Sequence, residues 1–123
     1  MGEQDIIGAL VKGRERFRHL VRLYLRQREE AAAARPTTAI LSEIDQCLAA
    51  AMGLFRDLPG KPGDACATDE GRNYAGKLLR EIADLLEVVM VLDREMRTVS
   101  AALQQASRPG ASRDQALRAY ART

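Results

Sequence analysis

Apolar residues recur every three or four positions along most of this chain, the spacing that aligns side chains on one face of an α-helix. In the first segment, from about Gln4 to Ala34, this row is Ile6, Leu10, Phe17, Leu20 and Tyr24. A second row lies beside it and widens the apolar face enough to contact two neighbours: Ile7, Val11, Val21 and Leu25. Arg35-Pro36 ends the helix, because the residue before a proline disfavours helical geometry.

Two further helices follow from the same spacing. Thr37 or Thr38 is predicted to cap the second, whose apolar face is Leu41, Ile44, Leu48, Ala51, Phe55 and Leu58, flanked by Ile40, Cys47 and Leu54. The proline- and glycine-rich segment 59–64 predicts a loop. The third helix is predicted to begin at Thr68 or Asp69 and keeps the spacing to Ala106.

These segments predict an all-α fold, a three-helix antiparallel bundle with long, shorter and long helices, since short connections make consecutive helices antiparallel neighbours. We assign the bundle domain to residues 1–108. Pro109-Gly110 then breaks the third helix, and a capping box from Ser112 to Gln115 predicts that 109–123 is a flexible or short helical tail.

Composition restricts the class of protein. A chain of 123 residues is long enough for one compact core. The formal charge of +2 is too near neutrality to indicate a nucleic-acid or membrane partner by itself. No apolar run reaches the roughly 20 residues that span a bilayer, and no signal-peptide pattern is present, so we expect a cytoplasmic protein without a membrane span.

The inventory of catalytic side chains is small. The one histidine, His19, falls opposite the main apolar row of the first helix, and the chain has neither a paired Glu-x-x-His motif nor a glycine-rich phosphate loop. We therefore expect no enzyme, no cofactor and no metal. Cys47 lies in an apolar stripe and is predicted to be buried, whereas Cys66 lies in a loop and is predicted to be exposed and reactive.

The first helix carries a run of basic residues in which Glu15 is the one acid between Lys12 and Arg28. Four arginines, each four residues from the next, form a basic patch: Arg14, Arg18, Arg22 and Arg26. Like charges at this spacing repel slightly, so a compensating group is expected. Acids of the third helix (Glu81, Asp84 and Glu87), an acidic protein partner or a phosphate backbone would each serve. The lack of interleaved aromatic residues disfavours nucleic acid.

Around residues 85–92 the third helix is apolar on nearly every side. Val88 and Val91 project away from the side that carries Ile82 and Val89, and exposed apolar patches of this kind mark binding sites. A second copy, a partner's helix or the chain's own tail would cover them. The predicted partner-binding residues are Leu85, Val88, Val91, Leu92, Leu117 and Tyr120.

The helix order, together with a Leu-rich third helix that runs through Leu85-Leu86 and Leu92-Asp93-Arg94-Glu95 to Leu103, resembles the bacterial flagellar export chaperones of the FlgN and FliT kind. This resemblance implies a cytoplasmic chaperone that binds a C-terminal amphipathic helix of a filament-junction or cap subunit and prevents its aggregation before secretion. Two alternatives stay open: a self-associating structural bundle, and a small nucleic-acid-associated protein that uses the basic first helix.

Overall fold

The computed structural model describes residues 2–106, and the side chains of residues 2–102. It contains three α-helices and one short 3₁₀ turn: α1 Glu3–Ala32, α2 Thr38–Arg56, the turn Pro62–Ala65, and α3 Asp69–Ala106. The predicted all-α fold with long, shorter and long helices is confirmed, and the described residues form no strand. The predicted tail, 109–123, lies outside the described residues.

The chain divides into two compact units, with the boundary inside α3 between Val89 and Met90. The first unit comprises α1, α2 and the first half of α3. Its largest fully buried side chains are all aliphatic: Ile6, Leu10, Leu20 and Leu78. In the second unit, the rest of α3 buries Leu92, Met96 and Ala102.

Helix α2 packs antiparallel against α1. The ring of Phe55, near the end of α2, contacts Gly13 and stacks on Phe17 with 6.0 Å between ring centroids. Earlier in α2, the thiol of Cys47 donates a hydrogen bond to the carbonyl oxygen of Arg16 at 3.2 Å. Later residues of α1 thus meet earlier residues of α2.

Helix α3 packs parallel to α1. The carboxylate of Glu3 accepts hydrogen bonds from the backbone N–H and the hydroxyl of Thr68, at 3.0 and 2.8 Å. Eleven residues further along α1, Arg14 donates to Glu81 at 2.9 Å. The two residues of the first pair are 65 positions apart in sequence and those of the second are 67 apart. Because this separation stays nearly constant, the two helices run in the same direction and in register. The order is therefore up, down, up.

The two neighbours of α1 lie about a quarter of a turn apart around its axis. Gly13 contacts α2, whereas the next residue, Arg14, bonds to α3. Consecutive residues of an α-helix project about 100° apart. Within the first unit, α2 and the first part of α3 consequently flank α1 on adjacent sides, like three corners of a four-helix bundle, and no helix among residues 2–106 occupies the fourth corner, diagonal to α1.

Three details differ from the sequence-based expectations. On α2 the buried row is Ile40, Ile44, Cys47 and Ala51, whereas Leu41 and Leu48, which were expected in the core, are exposed. Part of the loop 59–64 is ordered into the 3₁₀ turn Pro62–Ala65. Cys66 is buried, not exposed as predicted, because this turn brings its thiol against the carbonyl oxygen of Pro62 at 3.5 Å.

The ends of the helices are close to those predicted. Thr68 caps α3, since its hydroxyl oxygen accepts the N–H of Gly71 at 2.9 Å. Thr37 precedes α2, but its side chain makes no capping hydrogen bond. Helix α1 ends at Ala32, slightly before Arg35-Pro36, and Ala34 adopts a left-handed conformation with φ 57° that reverses the chain.

Candidate helix-binding groove

Helix α2 carries a line of large apolar side chains that the rest of the first unit leaves uncovered. Leu41, Leu48 and Met52 are 46%, 38% and 56% exposed. They are seven and four residues apart, so they lie on one flank of the helix, next to the buried row. This spacing is the one by which a helix presents a continuous seam to another helix.

Helix α3 presents a matching flank. Leu86 is 41% exposed, and Leu79, seven residues earlier on the same flank, is partly buried. The handedness of the helices decides where the two flanks point. Because α2 runs antiparallel to α1 and α3 runs parallel to it, the flanks of α2 and α3 both face the fourth corner, which no helix among residues 2–106 occupies.

These residues of α2 and α3 also lie at similar heights along the bundle axis. Cys47 lies beside Arg16 and Glu81 beside Arg14, which brings Leu48 to within about one helical turn of the level of Leu86. Met52 lies correspondingly near the level of Leu79. We call the surface lined by Leu41, Leu48, Met52, Leu79 and Leu86 the fourth-corner groove.

Charged side chains border the groove. Asp45 lies on the same face of α2 between Leu41 and Leu48, and Arg56 lies one turn beyond Met52. On α3, Glu87 follows Leu86 at about the level of Asp45. All three border residues, Asp45, Arg56 and Glu87, are exposed, and none forms an ion pair within the described residues. One end of the groove is therefore acidic and the other basic.

The residues predicted to bind a partner fall into three groups. Val88 and Val91 are exposed, as expected, whereas Leu85 is partly buried and Leu92 is buried, so the latter two belong to the interior-facing side of α3. Val88 projects about 200° from Leu86 and so lies on the flank away from the groove. Leu117 and Tyr120 lie outside the described residues.

The basic patch of α1 separates into a paired and an unpaired half. Arg14 and Arg18 both lie near Glu81, at 2.9 and 3.8 Å, and Arg18 also pairs with Glu15 at 2.8 Å. The hydrogen bond from Arg14 lowers the pKa of Glu81. Arg22 and Arg26 are exposed and form no ion pair among residues 2–102. The predicted pairing with α3 thus holds for Glu81, while Asp84 and Glu87 take no part in it.

The described residues contain few other groups suited to metal binding or catalysis. No group of three or more His, Cys, Asp or Glu side chains within the described residues is arranged to hold a metal ion. Both cysteines are buried, and burial raises the pKa of the Cys47 thiol although Arg16 opposes the shift. His19 is exposed on α1.

Helix α2 is long and apolar enough to cross a membrane, judged by length and composition alone. It is the one such helix among the described residues. The mean hydropathy of its apolar window is 1.2, and 22% of that window is buried. The excess apolar character has a local explanation, since α2 has one row that packs on α1 and a second that lines the groove.

No family model, curated protein or solved structure matches this chain. The likeness to flagellar export chaperones therefore stays a hypothesis that rests on helix order and the Leu-rich third helix.

Proposed function

We propose that this protein is a cytoplasmic chaperone or adaptor whose fourth-corner groove binds an amphipathic helix of a partner protein. The observation that carries the proposal is the line of exposed Leu41, Leu48 and Met52 opposite Leu86. A helix is the occupant that this geometry favours, because a fourth helix at the usual 8 to 10 Å from α2 and α3 would complete a four-helix bundle.

The groove limits the length of helix that it can hold and the strength of binding. Leu41 to Met52 spans 11 residues, or about 16 Å, which corresponds to roughly three turns of the bound helix. A fully buried Leu or Met contributes about 1.5 to 3 kcal/mol, and these side chains are already about half covered. Since nanomolar affinity requires about 12 kcal/mol after the entropic cost of association, we expect reversible, micromolar binding.

The charged side chains that border the groove indicate which charges the bound helix carries at the two ends of its polar edge. Asp45 and Glu87 favour a Lys or Arg at one end of its polar edge, and Arg56 favours an Asp or Glu at the other. Following the resemblance noted above, the partner would be the C-terminal amphipathic helix of a secreted filament-junction or cap subunit. A chaperone role suits the groove because it would shield the apolar face of that helix until secretion.

Site-specific photocrosslinking in the native cell tests this proposal. A benzophenone amino acid replaces Leu48 in the groove or, as a matched control, Val88, which is similarly exposed on the other flank of α3. We expect the Leu48 probe, and not the Val88 probe, to capture a protein whose crosslinked residue maps to an amphipathic helix. A synthetic peptide of that helix should then bind the purified chain and lose binding after Leu86→Asp but not Val88→Asp.

Three outcomes would overturn the proposal. Crosslinks only between two copies of this chain would indicate a self-associating bundle. Crosslinks only to lipid would indicate that α2 attaches to a membrane surface. Equal capture by both probes would mean that exposed apolar side chains of this protein bind without regard to the groove.

A further inference from the structure

Basic side chains gather on the side of α1 that faces away from the groove. We call them the basic ridge: Lys12, Arg16, His19, Arg22 and Arg26. At about 100° per residue they fall within an arc of about 120°, and they span 14 residues, or about 21 Å. All five side chains are exposed.

The direction of the ridge follows from the contacts of α1. Arg22 comes nine residues after Gly13 and therefore projects about 180° from the side that meets α2. Arg26 comes twelve residues after Arg14 and projects about 120° from the side that bonds to α3. The ridge and the groove thus lie on opposite sides of the first unit, so one ligand does not obstruct the other.

The internal ion pairs leave the ridge uncompensated. Glu15, the acid that lies within the same arc, contacts Arg18 at 2.8 Å and Arg14 at 3.6 Å. Glu81 is likewise engaged by Arg14 and Arg18. Within the described part of the chain, no ion pair involves any of the four cationic residues, Lys12, Arg16, Arg22 and Arg26.

We propose that the basic ridge docks an acidic segment of a second protein, independently of the groove. Lys12 and Arg16, and again Arg22 and Arg26, are four residues apart, about 6 Å along the axis. Asp or Glu side chains one turn apart on a partner helix have the same repeat. Guanidinium groups also bind carboxylates through paired hydrogen bonds.

An acidic protein fits this surface better than a nucleic acid. Phe17 and Tyr24, the aromatic residues of α1, are buried, so no aromatic ring of that helix is available to stack on bases. Glu15 interrupts the ridge, and Glu29 and Glu30 follow it. These acids would repel a long, continuous phosphate backbone, whereas a short acidic segment of a protein can place its carboxylates against the cations alone.

Fluorescence anisotropy of the full chain with two labelled probes tests the proposal. The probes are a ten-residue oligoglutamate peptide and a 20-base-pair DNA duplex. The ridge variant is Arg22→Glu with Arg26→Glu. The charge-matched control is Arg80→Glu with Arg94→Glu, at exposed residues of α3. We expect the ridge variant to weaken peptide binding at least tenfold and the control less than threefold, with unchanged circular dichroism.

A separate measurement tests whether binding at the basic ridge is independent of the groove. Leu48→Asp should leave the affinity for the oligoglutamate peptide within twofold of the original protein. Equal losses in the ridge variant and its charge-matched control would overturn the proposal, since the binding would then depend on net charge alone. Tighter binding of the duplex than of the peptide, lost in the ridge variant and steeply reduced by salt, would assign the ridge to nucleic acid instead.

Discussion

The ring of Phe55 lies against Gly13, in the space that a Cβ atom on Gly13 would occupy. Phe55 also stacks on Phe17, one turn further along α1, with 23° between the ring planes. The absence of a side chain at Gly13 therefore permits the close approach of α2.

Gly13→Ala should destabilise the protein, because the added methyl group displaces the Phe55 ring. Overpacking of this kind costs about 1 to 3 kcal/mol, and the gain in helix propensity offsets up to about 1 kcal/mol of it. Gly8→Ala is the matched control, since nothing lies within 4 Å of its added Cβ atom, and it should be neutral or stabilising. Urea denaturation measures both changes. Equal stabilisation by the two substitutions would contradict the close contact.

Much of the fold follows from the sequence because three apolar repeats and their breakers are unambiguous. The cap at Thr68 and the long α3 are examples. The face of α2 is harder to predict, since its two apolar rows, one beginning at Ile40 and the other at Leu41, have equally helical spacing. Spacing alone does not decide which row meets α1. The hydrogen bond from the Cys47 thiol to the carbonyl oxygen of Arg16 places the Ile40 row against α1, and this contact joins residues distant in sequence.

The candidate site is less predictable than the fold. The sequence indicates that α3 has more apolar residues than two neighbours can cover, and Val88 and Val91 are indeed exposed. It does not indicate that the groove side of α3 is the flank of Leu86. That assignment requires the parallel packing of α1 and α3 through Glu3 and Glu81. The one available signal is the second apolar row of α2.

Both thiols should react slowly in the native protein, because Cys47 and Cys66 are buried. In single-cysteine variants with alanine at the other position, we expect a disulfide reagent to modify each thiol at least tenfold more slowly than in denaturant. The loop thiol, Cys66, should react sooner of the two, because opening of the short Pro62–Ala65 turn suffices to expose it. Immediate native modification of Cys66 would mean that this turn does not close over it.

Acid should weaken the link between α1 and α3. The backbone and side-chain hydrogen bonds from Thr68 lower the pKa of Glu3. A carboxylate with a lowered folded-state pKa contributes stability above its unfolded pKa, near 4.3, and loses that contribution as the pH falls through the folded value. The stability difference between the original protein and Glu3→Gln should therefore be largest near neutrality and shrink below about pH 4.

Urea midpoints from pH 7 down to pH 3.5 measure this difference. Glu70→Gln is the control, because Glu70 is exposed in the first turn of α3 and makes none of these hydrogen bonds. A Glu3→Gln effect that stays constant across the range would show that the carboxylate acts through its shape and not through its charge.

The last prediction distinguishes the two rows of α2 by their stability cost. Ile44 is buried, whereas Leu48, one turn later, is 38% exposed on the groove flank. An aspartate at Ile44 would leave a charge in the core without a partner, and we expect a loss of more than about 3 kcal/mol or complete unfolding. An aspartate at Leu48 stays in contact with water and should cost about 1 kcal/mol or less.

Thermal and urea denaturation of the two variants provide the measurement, and Leu48→Asp must remain helical for its binding defect to be interpreted. If α2 instead buried the row that contains Leu41 and Leu48, then Leu48→Asp would unfold the protein as readily as Ile44→Asp. In that case the fourth corner would not be open, since the side chains that line it would be part of the core.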